Sequence, residues 1–549
     1  MTLLGIRLTL AADLAENVMR YRLSALALAG LLLAPYAQAD TLAVCTEGSP
    51  DFLNAALSTA NTSFDVTEQT SDRLVGMEVG GSKLVPGLAE SWTVSEDGLT
   101  YTFKLRHGVK WQSNALFKPT REFNADDVVF TFNRMADKGA PYYKVGGSYP
   151  EFQVLIEPAF NAIRKLDDHT VAIELKSALA PLLNTLSMQP FSVSSAEYAD
   201  VLTKAGKPEQ LDQMPIGTGP FQFVQYQRDS VVRFRANPDF WGKAAGSPRT
   251  AKVDNLVFSI TPDASVRYAK LRVNECQVVR YPNPADLPAM RANPQLRVQE
   301  AGIAAISYIS FRSDRKPMED RRVREALSIA VDLDGLVRAV YQGSGTPNAA
   351  MVPEALWGRN EGLQPRKYDP DRAKQLLIEA GYPDGFETDL WAIPVVRAYM
   401  PNGRRAAEMI QADWARIGVK AHIVTYEWGE YLKRTRSGEA TVAMLGGTWD
   451  YPDPSQLLLT WGCDARRSGR NTAMWCSDAY DRPLLQANLV TDQAERAKLY
   501  QQAQQAFYDE MPGLLFADVK AFVAVRSNVQ GFKLHFLGGQ PFGGVSLSP

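Results

Sequence analysis

Apolar residues recur with two different periods along the chain, and the balance between them shifts near residue 303. From Asp40 to about Ile260 the pattern is mixed. Thr100-Tyr101-Thr102-Phe103-Lys104-Leu105 alternates polar with apolar, and Thr170-Val171-Ala172-Ile173-Glu174-Leu175 repeats the pattern, so both predict strands. Asn124-Ala125-Asp126-Asp127 predicts a helix start with Asn124 as N-cap, carrying Val128, Val129 and Phe132. Pro215-Ile216-Gly217-Thr218-Gly219-Pro220 is a turn by composition. Beyond residue 303 helical spacing dominates. Val323, Leu327 and Val331 predict one helix over residues 321–340. Asp369-Pro370 opens another, with proline where its missing N–H costs nothing, and Gly381 ends it. Met409, Ile410, Trp414 and Ile417 share a face of a third helix over residues 405–417, and Val419, Ala421, Ile423 and Thr425 then alternate as a strand. Helices interleaved with strands predict an α/β fold with helices packed on sheets. There is no repeat, low-complexity tract or flexible linker, so the domains are expected to be joined by crossing strands.

Length and composition narrow the class. At about 150 residues per domain, 549 residues correspond to three or four domain-sized units. Hydrophobic residues make up 45% and charged residues 22%, which excludes wholesale disorder and a multi-span membrane protein. The 59 basic and 61 acidic residues nearly cancel, giving a net charge of -2, which argues against a dedicated nucleic-acid binder.

The N-terminal segment reads as an export signal. Met19-Arg20-Tyr21-Arg22 is basic, Leu23 to Leu33 is apolar, and Ala37-Gln38-Ala39 fits signal-peptidase cleavage before Asp40. Residues 1–39 are therefore expected to be removed, with Met19 as the true start. Leu42-Ala43-Val44-Cys45 offers a competing lipid-attachment reading, but Val44 stands where a small residue is needed. Export suits the cysteines. Cys45, Cys276, Cys463 and Cys476 allow three pairings. Cys463 with Cys476 and Cys45 with Cys276 is the simplest, and free buried thiols are the alternative. No CxxC supports zinc or redox chemistry, and with four His in the chain no metal site is expected.

Catalytic signatures are missing: no GxxxxGK[ST], HExxH or GxSxG occurs. His422 lies within a strand pattern and reads as structural. Asp126-Asp127 and Asp167-Asp168 read as a cap and a turn. No enzyme and no cofactor are expected.

Several stretches together carry a resemblance. Gly87-Leu88-Ala89-Glu90-Ser91-Trp92, Ser95-Glu96-Asp97-Gly98 running on to Arg106, and Gly217-Thr218-Gly219-Pro220-Phe221 resemble the family 5 extracellular solute-binding proteins of peptide ABC transporters. The stretches from Phe258 to Leu271 and from Thr425 to Lys433 are similar to its dipeptide-binding members. The similarity spans the mature chain and implies the disulfide pairing given above. It implies a two-lobed periplasmic binding protein of the type II, large peptide-binding class, with two hinge strands between its lobes. Lobe I takes residues 40–302 plus 516–549, in two subdomains, and lobe II residues 303–515. The implied function is periplasmic capture of di- or tripeptides by lobe closure and delivery to an inner-membrane ABC permease, by a monomer.

The resemblance also implies the site. Asp450 matches the family's anchor for the peptide ammonium and Arg397 its anchor for the carboxylate, a planar group that suits the guanidinium fork. Tyr399 and Trp428 match site-lining aromatics, and Thr59, Ala60 and Asn61 the facing segment of lobe I. The loop Gly446-Gly447-Thr448-Trp449-Asp450 departs from the family: Gly447 stands where the dipeptide-binding members have Trp, and Trp449 where they have Gly. The exchange is expected to open space beside Gly447 and add bulk beside Asp450. The alternatives are a secreted peptide hydrolase, or a binding protein of this fold for haem or another small cargo.

Overall fold

The computed structural model describes residues 39–548 except 59–60, 146–148, 395–396, 427, 450, 467–468, 536 and 538, with the Trp428 side chain also outside the description. The export segment before Ala39 therefore lies outside the described residues. Two long strands, Leu296–Phe311 and Gly513–Arg526, pair antiparallel in the middle of an eleven-stranded sheet. Their register runs from Leu296↔Arg526 to Ser310↔Gly513 and shifts twice, between Gly302 and Ile306 and between Ile306 and Tyr308.

On one side Val442–Thr448 pairs antiparallel with Leu296–Phe311, followed by the parallel strands Glu387–Trp391 and Lys420–Val424. On the other side Val278–Arg280 pairs with Gly513–Arg526, and Thr41–Thr46 lies parallel between Val278–Arg280 and Asn255–Ile260. The hairpin Phe221–Gln227/Val231–Ala236 completes that edge. A separate antiparallel sheet of four strands, ordered Ala89–Val94, Thr100–Leu105, Thr170–Leu175 and Phe160–Asp167, stands beside the helix Ala125–Ala136. Its core gathers Phe103, Val128, Phe132, Val171 and Ile173, whereas Ile309, Leu327, Leu336, Ile410 and Trp414 meet in another cluster.

Local rules explain most elements. In Thr100–Leu105 the residues Tyr101, Phe103 and Leu105 are buried, as alternation requires. Thr170–Leu175 is buried on both faces at Thr170 and Ala172 too, because strands flank it on each side. Asn124 caps its helix by accepting from the Asp126 amide at 3.0 Å, and Asp127 returns the bond from the Asn124 amide at 3.1 Å. The Asp127 carboxylate is also held by Arg121 through two 2.7 Å contacts, so this acidic pair is structural. Gly217 threads so closely past Thr70 that a Cβ would sit inside its carbonyl oxygen. His422 is exposed, with its Nε2 3.4 Å from Glu387.

One expectation fails. Residues 321–340 form two helices, Arg321–Ile329 and Leu333–Tyr341. Asp332 breaks the run: its carboxylate accepts from the Gly335 amide at 3.0 Å, while its own amide is drawn to Asp413 Oδ2 at 3.0 Å. A side chain at Gly335 would collide with that cap.

Both expected disulfides are formed, Cys45–Cys276 and Cys463–Cys476. Cys45 is wholly buried and bonded, which leaves no thiol for a lipid. Replacing Cys463 and Cys476 by Ala, which opens a loop of sequence separation 13, is expected to lower the unfolding free energy by about 3 kcal/mol. Urea titration would read it, and an unchanged midpoint would show that the bridge does not restrain the unfolded chain.

Candidate functional site

The site forms where the middle of the large sheet meets two turns. The strand Glu387–Trp391 ends in Ala392, whose amide reaches the Val424 carbonyl at 2.8 Å. The chain then makes a tight turn in which Arg397 and Met400 exchange backbone bonds of 3.1 and 3.0 Å. This turn leaves Arg397 exposed and buries Tyr399. Tyr341 fixes it from beneath, donating to the Tyr399 carbonyl at 2.9 Å. Burial raises the Tyr399 phenol above its ordinary value, and the charge and hydrogen bond of Arg397 act against that rise. Arg397 and Tyr399 are thus one unit, a guanidinium hydrogen-bonded to a buried phenol.

Gly446 makes that unit fit. It lies in Val442–Thr448 opposite Ser307, and a Cβ there would stand 2.5 Å from both the Tyr399 ring and the Ile306 carbonyl oxygen. Gly447 behaves differently from expectation. The space beside it is not open: a Cβ would meet the Leu457 methyl groups at 2.9 and 3.1 Å, so Leu457 already occupies the place a larger side chain would need. The strand continues to Trp449, whose amide donates to the Ala304 carbonyl at 2.7 Å and whose side chain is buried.

The loop after Trp449 is pinned by a buried acid. Asp453 is fully buried and takes Arg496 through contacts of 2.7 and 3.0 Å, with the Tyr500 hydroxyl at 3.1 Å and the Ser455 amide at 3.0 Å. Asn184 adds a 3.2 Å bond to the same carboxylate. Between Trp449 and this anchor, Tyr451 packs into the core that holds Phe103 and Val128.

A cavity of about 60 Å³ opens between Thr448, Trp449 and Ala398 on one side and Asn61, Arg280 and Tyr281 on the other. It has room for several water molecules or a few ligand atoms. Arg280 is buried against Asp65, and its Nη2 reaches the Tyr281 hydroxyl at 3.0 Å. Tyr281 adopts φ 49°, a left-handed conformation that a bulky residue holds only under constraint. His535 also borders the cavity. Burial lowers its pKa, against the pull of Glu68, and its Nδ1 accepts from the Leu537 amide at 3.3 Å.

Of the expected residues, Asn61, Thr448 and Trp449 line this one cavity, while Arg397, Tyr399 and Gly446 meet beside it. Gly447 faces Leu457. Thr59, Ala60 and Asp450 lie outside the described residues, as does the Trp428 side chain; the Trp428 backbone starts the helix Trp428–Ser437. Asp65, Arg280, Tyr281 and His535 were not among the expected residues, and no local pattern marks them. Among the described residues no group of His, Cys, Asp and Glu could hold a metal, and no helix is long and apolar enough to cross a membrane.

Residues 83–469 match the family model for bacterial extracellular solute-binding proteins, family 5. The chain belongs to that family, and its fold is that of the type II periplasmic binding proteins. It is 47% identical over 526 residues to the dipeptide-binding protein of Escherichia coli K12, covering 95% of this chain and 97% of that one. Among solved structures, HbpA2 from Haemophilus parasuis superposes with a TM-score of 0.88 at 43% identity, over 93% of this chain and all of the other. The dipeptide binding protein of Pseudoalteromonas sp. SM9913 in complex with Met-Leu gives 0.77 at 35% identity, over 92% and 100%.

Proposed function

We propose that this chain captures di- and tripeptides in the periplasm and hands them to the permease of an ABC transporter. The observation that supports this reading best is convergence. Ala398 of the Arg397–Met400 turn, Thr448 and Trp449 of the strand end, and Asn61 come from distant parts of the chain and line one small cavity. A dipeptide is a zwitterion, costly to bury unless both ends are paired. In this reading Asp450 takes the ammonium and Arg397 the carboxylate, so that the two charges measure peptide length. Tyr399 and Trp428 flank the ligand, and Thr59, Ala60 and Asn61 face it from the other side. The E. coli relative named for dipeptides and the Met-Leu complex support the same cargo class.

The two long central strands are the hinge in this reading, with residues 40–302 and 516–549 in one lobe and 303–515 in the other. The protein acts as a monomer after removal of residues 1–39. Ligand binding to the folded state alone raises the melting temperature. Millimolar Ala-Ala and Ala-Ala-Ala are therefore expected to raise it by several degrees. No shift with any peptide of a broad di- and tripeptide panel would overturn the reading. Recovering the peptide intact by mass spectrometry distinguishes capture from hydrolysis.

A further inference from the structure

We propose that Trp449 is a specificity-determining hydrogen-bond donor, whose indole Nε1–H reads a carbonyl oxygen at the middle of the cargo. Trp449 is 1% exposed, and its Nε1 has no acceptor among the described residues. A buried indole N–H ordinarily finds a partner, it can only donate, and leaving it unpaired destabilises the protein. Such a group in a native chain calls for an acceptor that arrives from outside.

The surroundings define that acceptor. Trp449 lines the 60 Å³ cavity, and so does Arg280, whose Nε likewise has no acceptor among the described residues. Two residues that each carry a buried donor without an acceptor among the described residues thus line the same small space. Asp65 already neutralises the Arg280 charge, so an uncharged carbonyl oxygen suits the space better than a second carboxylate. The cavity also touches Ala398, next to Arg397, and Thr448, two residues before Asp450. This step rests on the peptide reading. If Arg397 and Asp450 hold the two ends, the group that reaches Trp449 is the amide carbonyl between them. The exchange of Gly and Trp in the loop then does more than add bulk. It introduces a directed donor on the strand end.

Calorimetric titration with Ala-Ala and with its thioamide analogue, in which sulfur replaces the amide oxygen, tests this. The wild-type protein is expected to bind the thioamide about tenfold more weakly, the usual effect of losing one hydrogen bond to a buried donor. Trp449→Phe is expected to bind Ala-Ala about tenfold more weakly than wild type and to discriminate little between the two ligands. Equal wild-type affinities for the oxo and thio ligands would overturn the proposal and leave peptide capture standing. Trp449→Phe retaining wild-type discrimination would do the same. Failure of wild-type protein to bind Ala-Ala or any di- or tripeptide of the panel would remove the peptide reading itself, and the donor role with it.

Discussion

Arg397→Ala is expected to weaken binding of a dipeptide with a free carboxylate by about a hundredfold or more, and to leave a C-amidated dipeptide nearly unaffected. The size follows from what is lost. If Arg397 holds the carboxylate, as proposed, a charge-assisted, two-pronged contact disappears and the carboxylate is left without a partner. The contrast between ligands follows from the setting. Arg397 is exposed on a turn locked by two backbone bonds and is hydrogen-bonded to Tyr399. The turn keeps its shape when the guanidinium is removed. Amidation of the peptide removes the same interaction from the other side, so the two losses do not add. Arg397→Lys restores the charge but not the fork, and a partial recovery is expected. Calorimetry on the four combinations of protein and ligand measures the coupling. Equal losses for both ligands would take Arg397 out of the carboxylate role.

Asp453→Ala is expected to cost about 3–5 kcal/mol of folding stability, more than any exposed charge in the chain. The Asp453 carboxylate has no exposure and gathers Arg496, Tyr500, Asn184 and the Ser455 amide. Removing it leaves a buried guanidinium, itself 4% exposed, with no counter-charge. Replacing both members with apolar residues of similar volume, as in the Asp453→Leu/Arg496→Met pair, is expected to recover much of the loss, because the stranded charge then disappears too. Urea denaturation followed by circular dichroism would decide. If the double variant is no more stable than Asp453→Ala, the pair contributes through something other than its burial. Peptide affinity should fall in Asp453→Ala as well, because this acid fixes the loop that begins at Trp449.

The features legible in the sequence are those set by neighbours along the chain. The alternation in Thr100–Leu105, the Asn124 cap and the Asp369-Pro370 start are local rules, and each element appears where the rule puts it. The break in the helical pattern over residues 321–340 has a tertiary cause, Asp413, which holds the Asp332 amide from 81 residues away. The site follows the same division. Arg397 and Tyr399 are marked by resemblance alone, because neither carries a distinguishing pattern of its own. Arg280 and Asp65 are 215 residues apart, and nothing along the chain links them. Gly447 reads as vacant space in a linear sequence, since Leu457 enters that space only after the loop has turned back. Asp453 sits three residues from Asp450, and only its burial against Arg496 marks it as the structural acid of that loop.

The placement of Gly513–Arg526 has a bearing on how the molecule is made. This strand comes from the last part of a 549-residue chain, yet it lies at the centre of the main sheet, flanked by Leu296–Phe311 and Val278–Arg280 and joined by Gly345–Pro347. The two halves of that sheet cannot be joined until residues 513–526 have left the ribosome. The contacts that join them span more than two hundred residues, and such distant pairings form late. Until that strand emerges the sheet stays in two parts, and the nascent chain stays threadable.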